Sequence, residues 1–189
     1  MKRTIPVVCA GLVLMLASAV GFGVQAQKPE APDPNRAPEL VGGPWINTKD
    51  GEPVSIKSRR GKPTLVAFWT FACENCQHNI PAYARLLAKY RSKGVELIAI
   101  HTPEMKVEHD LEQVKAHVTR FKIDYPVLID NGNANWSHWG VGVWPSLYVV
   151  DGDGIVRYHW FGELNWKGAG GEVKIAQVLD DLLAEQSGK

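Results

Sequence analysis

Apolar positions along the chain fall into short unbroken runs alternating with stretches of helical spacing, as a parallel sheet with crossover helices produces. Thr64–Trp69 reads TLVAFW after Gly61 and Pro63, and residues 95–100 form a second such run. Both are expected to be strands buried on two faces. Between them Ile80, Tyr83, Leu86, Leu87 and Tyr90 recur at helical intervals over residues 75–91. The three segments together predict a right-handed βαβ unit.

Downstream, a polar helix fits residues 107–121 and a short strand fits residues 127–129, while residues 133–139 are too mixed to assign. Residues 147–150 and 155–160 flank Asp151-Gly152-Asp153-Gly154, whose turn chemistry predicts a hairpin. Residues 173–183 close the pattern as an amphipathic helix. At the front, Trp45-Ile46-Asn47 and Val54-Ser55-Ile56 flank Lys49-Asp50-Gly51, a second expected hairpin and the start of the folded domain. No internal repeat is present.

The first residues have the pattern of an address. Lys2 and Arg3 precede an apolar stretch at residues 5–24, and Val24-Gln25-Ala26 supplies small residues for cleavage. Residues 1–26 are therefore read as a signal peptide, with an uncleaved membrane tether as the alternative. Either predicts a periplasmic or secreted domain. Cys9 follows Pro6-Val7-Val8, without the small residue expected before a lipidated cysteine, and is lost with the leader. Residues 27–44 are rich in proline and read as an extended linker, and residues 45–186 as one domain. Of 21 basic residues, removal of Lys2 and Arg3 leaves 19 against 20 acidic ones. That balance predicts no nucleic-acid partner.

Two cysteines then remain, in Cys73-Glu74-Asn75-Cys76, at the junction of the first buried strand and its helix. The free amide hydrogens of a helix start and its macrodipole favour a thiolate at Cys73. Glu74 puts a carboxylate beside it and opposes that effect. Cys76 lies one turn on, within disulfide reach. Such a pair can attack a protein disulfide through Cys73 and release the mixed disulfide through Cys76. A four-residue loop is a poor structural staple, and zinc would need two further ligands, so redox chemistry is expected. No cofactor besides the Cys73–Cys76 disulfide, and no resident metal, is expected.

The segment FWTFACENCQHNIP, with Pro81 five positions past the second cysteine, resembles the thioredoxin superfamily. WPSLYVVDGDG resembles its cis-proline strand and hairpin, and the likeness covers residues 45–183. The added helix and strand are similar to the periplasmic TlpA and ResA type. FWTFACENCQ with Ile100-His101-Thr102-Pro103-Glu104, Tyr125-Pro126, Asp130-Asn131, Trp144-Pro145 and Phe161-Gly162-Glu163 resembles the soluble C-terminal domain of DipZ-type disulfide reductases. The resemblance implies an α/β thioredoxin-like fold, with a central mixed sheet flanked by helices, an N-terminal hairpin and a helix–strand insertion. It implies that Pro145 is a cis-proline facing the disulfide and that Trp144 offers backbone groups to substrate, with Glu74, Asn75 and His101 completing the substrate-facing set. It also implies protein disulfide substrates, a membrane electron donor of the DsbD/CcdA type, and cytochrome maturation or envelope disulfide repair as the process.

Two positions depart from those families. Ala67 and Asn79 stand where relatives often hold an acid that takes the proton of the second cysteine. Glu163 and Glu104, which topology brings toward the same sheet edge, are the candidate relays. His101 could instead fix the loop by a hydrogen bond. Trp136, Trp139 and Trp166 are read either as core or as an apolar docking lip. Two other activities compete. A thiol peroxidase would use Thr70, three residues before Cys73, although Val66 stands where that motif has proline. A Cu(I) chaperone would use Cys73, Cys76 and His101.

Overall fold

The computed structural model describes residues 33–188; the expected leader at residues 1–26 lies outside the described residues. In chain order the elements are β1 (Trp45–Ile46), β2 (Thr64–Trp69), α1 (Glu74–Tyr90), β3 (Glu96–His101), α2 (Leu111–Arg120), β4 (Val127–Ile129), α3 (Ala134–His138), β5 (Ser146–Val150), β6 (Val156–Phe161) and α4 (Gly171–Ser187). They form one mixed sheet of order β1-β4-β3-β2-β5-β6. β2 runs parallel to β3, and β3 to β4, while β5, β6 and β1 join antiparallel.

The unbroken apolar runs have the expected cause. All six residues of β2 are buried, because side chains on alternate positions enter two separate cores. Leu65, Ala67 and Trp69 pack with Leu97 and Ala99 against Tyr83, Leu86 and Tyr90 of α1, Val114 and Val118 of α2, and Ile175 and Leu179 of α4. Val66 and Phe68 pack with Ile98, Ile100, Leu128 and Tyr148 on the opposite face, beneath Trp139 and Ala37. A register slip of one residue would exchange the two sets.

Three segments differ from the sequence reading. The N-terminal hairpin does not form. Asp50 and Gly51 do make a tight turn with positive φ (54° and 75°), and the Glu52 N–H bonds the Lys49 carbonyl at 2.9 Å. Pro53 follows, with no N–H to continue a ladder, and Trp45 and Ile46 pair instead with Leu128 and Val127 of β4. The expected linker is part of the fold over residues 33–44. Arg36 bridges to Ile155, the Ala37 N–H bonds the Gly154 carbonyl at 3.0 Å, and Val41 exchanges two hydrogen bonds with the Asn135 side chain at 2.9 and 2.8 Å. This segment helps cover the sheet face that lacks a long helix, with Ala37 buried there and Leu40 partly buried.

The unassigned residues 133–139 contain α3. Its first N–H groups are held by Asp130, whose carboxylate accepts from the Asn135 and Trp136 amides at 3.1 and 3.0 Å. A helix of five residues held from outside its own span leaves no periodicity to read. The helix expected at residues 107–121 is divided: a 3-10 turn at Lys106–His109 precedes α2. Asp110 caps α2 by accepting from the Glu112 N–H at 2.9 Å.

Candidate active site

β2 and β3 end at one edge of the sheet, where the Thr102 N–H bonds the Trp69 carbonyl at 3.1 Å. Four residues later the chain enters α1 with Cys73 as its N-cap, in extended conformation (φ −75°, ψ 109°). The Cys73 sulfur accepts the Cys76 N–H at 3.3 Å, so one orphan amide of the helix start is directed at it. Cys73 is half-buried and Cys76 is buried; both thiols are free.

The two sulfurs have opposite electrostatics. Cys73 is lowered to about 7, mainly through hydrogen bonding with Cys76; burial opposes this, the Cys76 amide adds to it, and Glu104 and Glu108 oppose it. Burial first, and then the neighbouring Cys73, push Cys76 well above the ordinary thiol range. Glu74 is 84% exposed and faces His78 at 3.9 Å. The carboxylates that weigh on Cys73 thus come from the segment after β3, not from the motif itself.

The other expected site residues divide by position. The Trp144–Pro145 peptide is cis. It lies at the same edge, because Ser146 pairs with Phe68 near the end of β2. Trp144 is held by its indole N–H, which donates to the Thr102 carbonyl at 3.1 Å, and by a ring contact with Trp136 at 4.0 Å. Asn75 is exposed and, with Phe161, Gly162, Glu163 and Trp166, lines an open cavity. Glu163 is paired with His78 Nδ1 at 3.0 Å, and that contact raises the His78 pKa. Glu104 is exposed at the rim.

His101 is fully buried. That corrects its placement in the substrate-facing set, since it cannot reach a bound segment. Its Nε2 lies 3.3 Å from the Thr70 hydroxyl, and Phe71 stacks on its ring at 5.6 Å. Burial pushes its pKa down to about 4, so it is neutral and fixes the loop. The imidazole is engaged with Thr70, not presented beside the two sulfurs as a third soft ligand. The proposed tryptophan lip separates: Trp139 is core, Trp136 is half-buried on Trp144, and Trp166 is 56% exposed.

Two buried polar residues around the motif carry more than their sequence context suggests. Asn79, where relatives hold an acid, clamps the segment after β6. Its Oδ1 accepts from the Leu164 N–H at 2.8 Å and its Nδ2 donates to the Gly162 carbonyl at 3.2 Å. Glu108 was not singled out in the sequence, where it reads as one more acid at the start of a polar helix. It is fully buried, and Thr70 donates its hydroxyl to it. An acid four positions after Glu104, beside Val107, was the sole available signal.

Fold and site together define a thioredoxin-like domain built around a helix-start thiol pair. Known proteins agree. The AhpC/TSA family matches residues 31–159. Protein DipZ of Mycobacterium tuberculosis is 36% identical over 146 residues, which cover 77% of this chain and 21% of DipZ; the chain thus spans about a fifth of that relative. ResA, a thiol-disulfide oxidoreductase of Bacillus anthracis, is 31% identical over 156 residues, covering 80% of this chain and 85% of ResA. A crystal structure of a thioredoxin-like superfamily protein superposes with a TM-score of 0.69 at 23% identity, covering 78% of this chain and 96% of the other. The chain belongs to the AhpC/TSA family, among its thioredoxin-like thiol-disulfide oxidoreductases.

Proposed function

We propose that the protein works in the cell envelope as a reductase of protein disulfides, with Cys73 as nucleophile and Cys76 as resolving cysteine. The observation that carries this reading is the opposite tuning of the two thiols: Cys73, accessible at the helix start, is lowered to about 7, while buried Cys76 is raised. The Cys73 thiolate attacks one sulfur of the partner disulfide, forming a mixed disulfide and releasing the other partner sulfur as thiolate. Cys76 then loses its proton and attacks the Cys73 sulfur. The second partner thiolate leaves, and the Cys73–Cys76 disulfide remains.

Glu104, exposed at the rim, and Glu163, held by His78, are the proposed acceptors of the Cys76 proton. The backbone at Trp144 and Pro145, with Glu74 and Asn75, frames the partner segment. The disulfide is its own redox group, restored by a membrane electron donor of the DsbD/CcdA type. Export through the N-terminal segment, to the periplasm or beyond, fits that role, as does service in cytochrome maturation or envelope disulfide repair. A peroxidase would need the Thr70 hydroxyl at the substrate, whereas Thr70 is fully buried and donates to Glu108.

Cys76→Ser should arrest the reaction at the mixed disulfide and trap partners on Cys73, and the intact pair should turn over in insulin reduction. Trapping on Cys76 in a Cys73→Ser variant instead would reverse the roles. Consumption of hydrogen peroxide far faster than by a free thiol would replace the reading with a peroxidase.

A further inference from the structure

We propose that Glu108 is the positioning residue of the thiol pair: a buried carboxylate that ties down the segment entering Cys73 and holds a fixed negative charge behind both sulfurs, biasing the pair toward giving up electrons. This rests on the oxidoreductase reading and adds a buried charge that biases its poise.

The geometry is that of a saturated anion. Oε1 accepts the Thr70 hydroxyl and, at 2.9 Å, the Ala72 N–H; Oε2 accepts the Glu104 and Met105 N–H groups at 2.8 Å each. Thr70 and Ala72 belong to the connection from β2 to Cys73, and Glu104 and Met105 to the connection after β3. One carboxylate therefore joins the two loops at the active edge, and its bond to Ala72 fixes the residue immediately before the nucleophile. Among the described residues no Lys or Arg pairs with it. Burial works against its charge, but the hydrogen bonds from Thr70, Ala72, Met105 and Glu104 outweigh it and hold the carboxyl below its usual range. With four donors on its two oxygens, Glu108 has no site left for a proton from Cys76. It acts as a charge, not as a relay.

That charge adds to the effects that raise the two thiols, after burial and Glu104 at Cys73 and after burial and Cys73 at Cys76. The disulfide carries no charge for it to act on, so Glu108 disfavours the reduced state wherever Cys73 is a thiolate. A pair whose reduced form is destabilised is the stronger reductant. The other ionisable groups coupled to the sulfurs are Glu104, which weighs on Cys73 more than Glu108 does, His78 on α1 and the buried Tyr83, while Glu74 and Glu163 face His78. His101 lies on the far side of Thr70 and is neutral above about pH 4. Their side chains are all retained in a Glu108 variant, so the difference from the wild type reports the loss of the Glu108 charge.

The test is the equilibrium in which the Cys73–Cys76 disulfide and two glutathione thiols give two protein thiols and one glutathione disulfide, measured from pH 5 to pH 9 for the wild type, Glu108→Gln and Thr70→Val. Glu108→Gln should shift the equilibrium about tenfold toward the reduced protein at pH 8 to 9, the equivalent of one unit on the Cys73 thiol, or about 30 mV. The shift should vanish near pH 5, where no thiolate remains. Thr70→Val, which loosens the same loop but keeps the charge, should follow the wild-type pH dependence. Equal, pH-independent shifts in both variants would make Glu108 merely structural and overturn the proposal. Should Glu108→Gln fail to fold, carbon NMR of the wild-type carboxyl decides: Glu108 should stay ionised from pH 5 to 9, and protonation coupled to Cys76 would refute it. Failure of the wild type to equilibrate with glutathione at all would sink the oxidoreductase reading itself. Reversible exchange with an unmoved Glu108→Gln sinks only the part given to Glu108.

Discussion

Replacing Asn79 by leucine tests whether this position is a clamp or merely a place where an acid is missing. The two side chains are close in shape, so the core of α1 should accept the change. What is lost is the acceptor for the Leu164 N–H and the donor to the Gly162 carbonyl and the Tyr83 hydroxyl. Leu164 is fully buried, so its amide has no water to turn to, and an unpaired buried donor costs about 1–3 kcal/mol. The Gly162 carbonyl lies nearer to solvent and adds less. For a domain of this size each kcal/mol moves Tm by roughly 2–4 °C, so Tm should fall by about 2–12 °C. Differential scanning calorimetry on the reduced protein measures this directly. A fall below about 2 °C would show that the segment after β6 is held by something other than Asn79, and the clamp would have to be abandoned.

Alkylation of Cys73 by iodoacetamide should follow a pH profile with its midpoint near 7; a midpoint near 9 would mean that the helix start and the Cys76 amide do not stabilise the thiolate. His101 predicts acid sensitivity. Its folded pKa of about 4 lies below the ordinary 6.5, so unfolding takes up a proton between these values. Its contribution to stability is intact above pH 6.5 and falls by on the order of 3 kcal/mol as the pH drops to 4. Urea titrations at pH 7 and 4.5 should show that His101→Gln flattens this loss, and identical slopes would refute it. Asp130→Ala removes the acceptor of the Asn135 and Trp136 amides and of the Thr102 hydroxyl. It should lower stability by about 3 kcal/mol and change the fluorescence of the Trp136–Trp144 contact; unchanged emission would mean that α3 does not need Asp130.

The parts of the molecule that could be read in the sequence are those whose cause is local. β2 and β3 are legible because burial on both faces demands an unbroken apolar run, and α1 because its buried stripe repeats at helical spacing. Cys73 and Cys76 are legible because a strand-to-helix junction supplies free amides to whatever residue stands there. What escaped is held by groups that lie outside the segments they order. Asp130 reaches five and six positions on to start α3, and residues 33–44 are ordered by Gly154, Ile155 and Asn135, more than ninety positions away. The acid shell of the thiol pair escaped for the same reason. Ala67 and Asn79 suggested that its charge was missing, but the edge where β2 and β3 end lets a carboxylate from the far side of β3 approach the same loop. Ala67 pairs with Leu147 and Ala99 in the sheet register, and Asn79 holds Leu164. The negative charge near the sulfurs is thus a property of the edge and not of any one sequence position. It follows that the poise of this pair cannot be inferred from residues 67 and 79 alone.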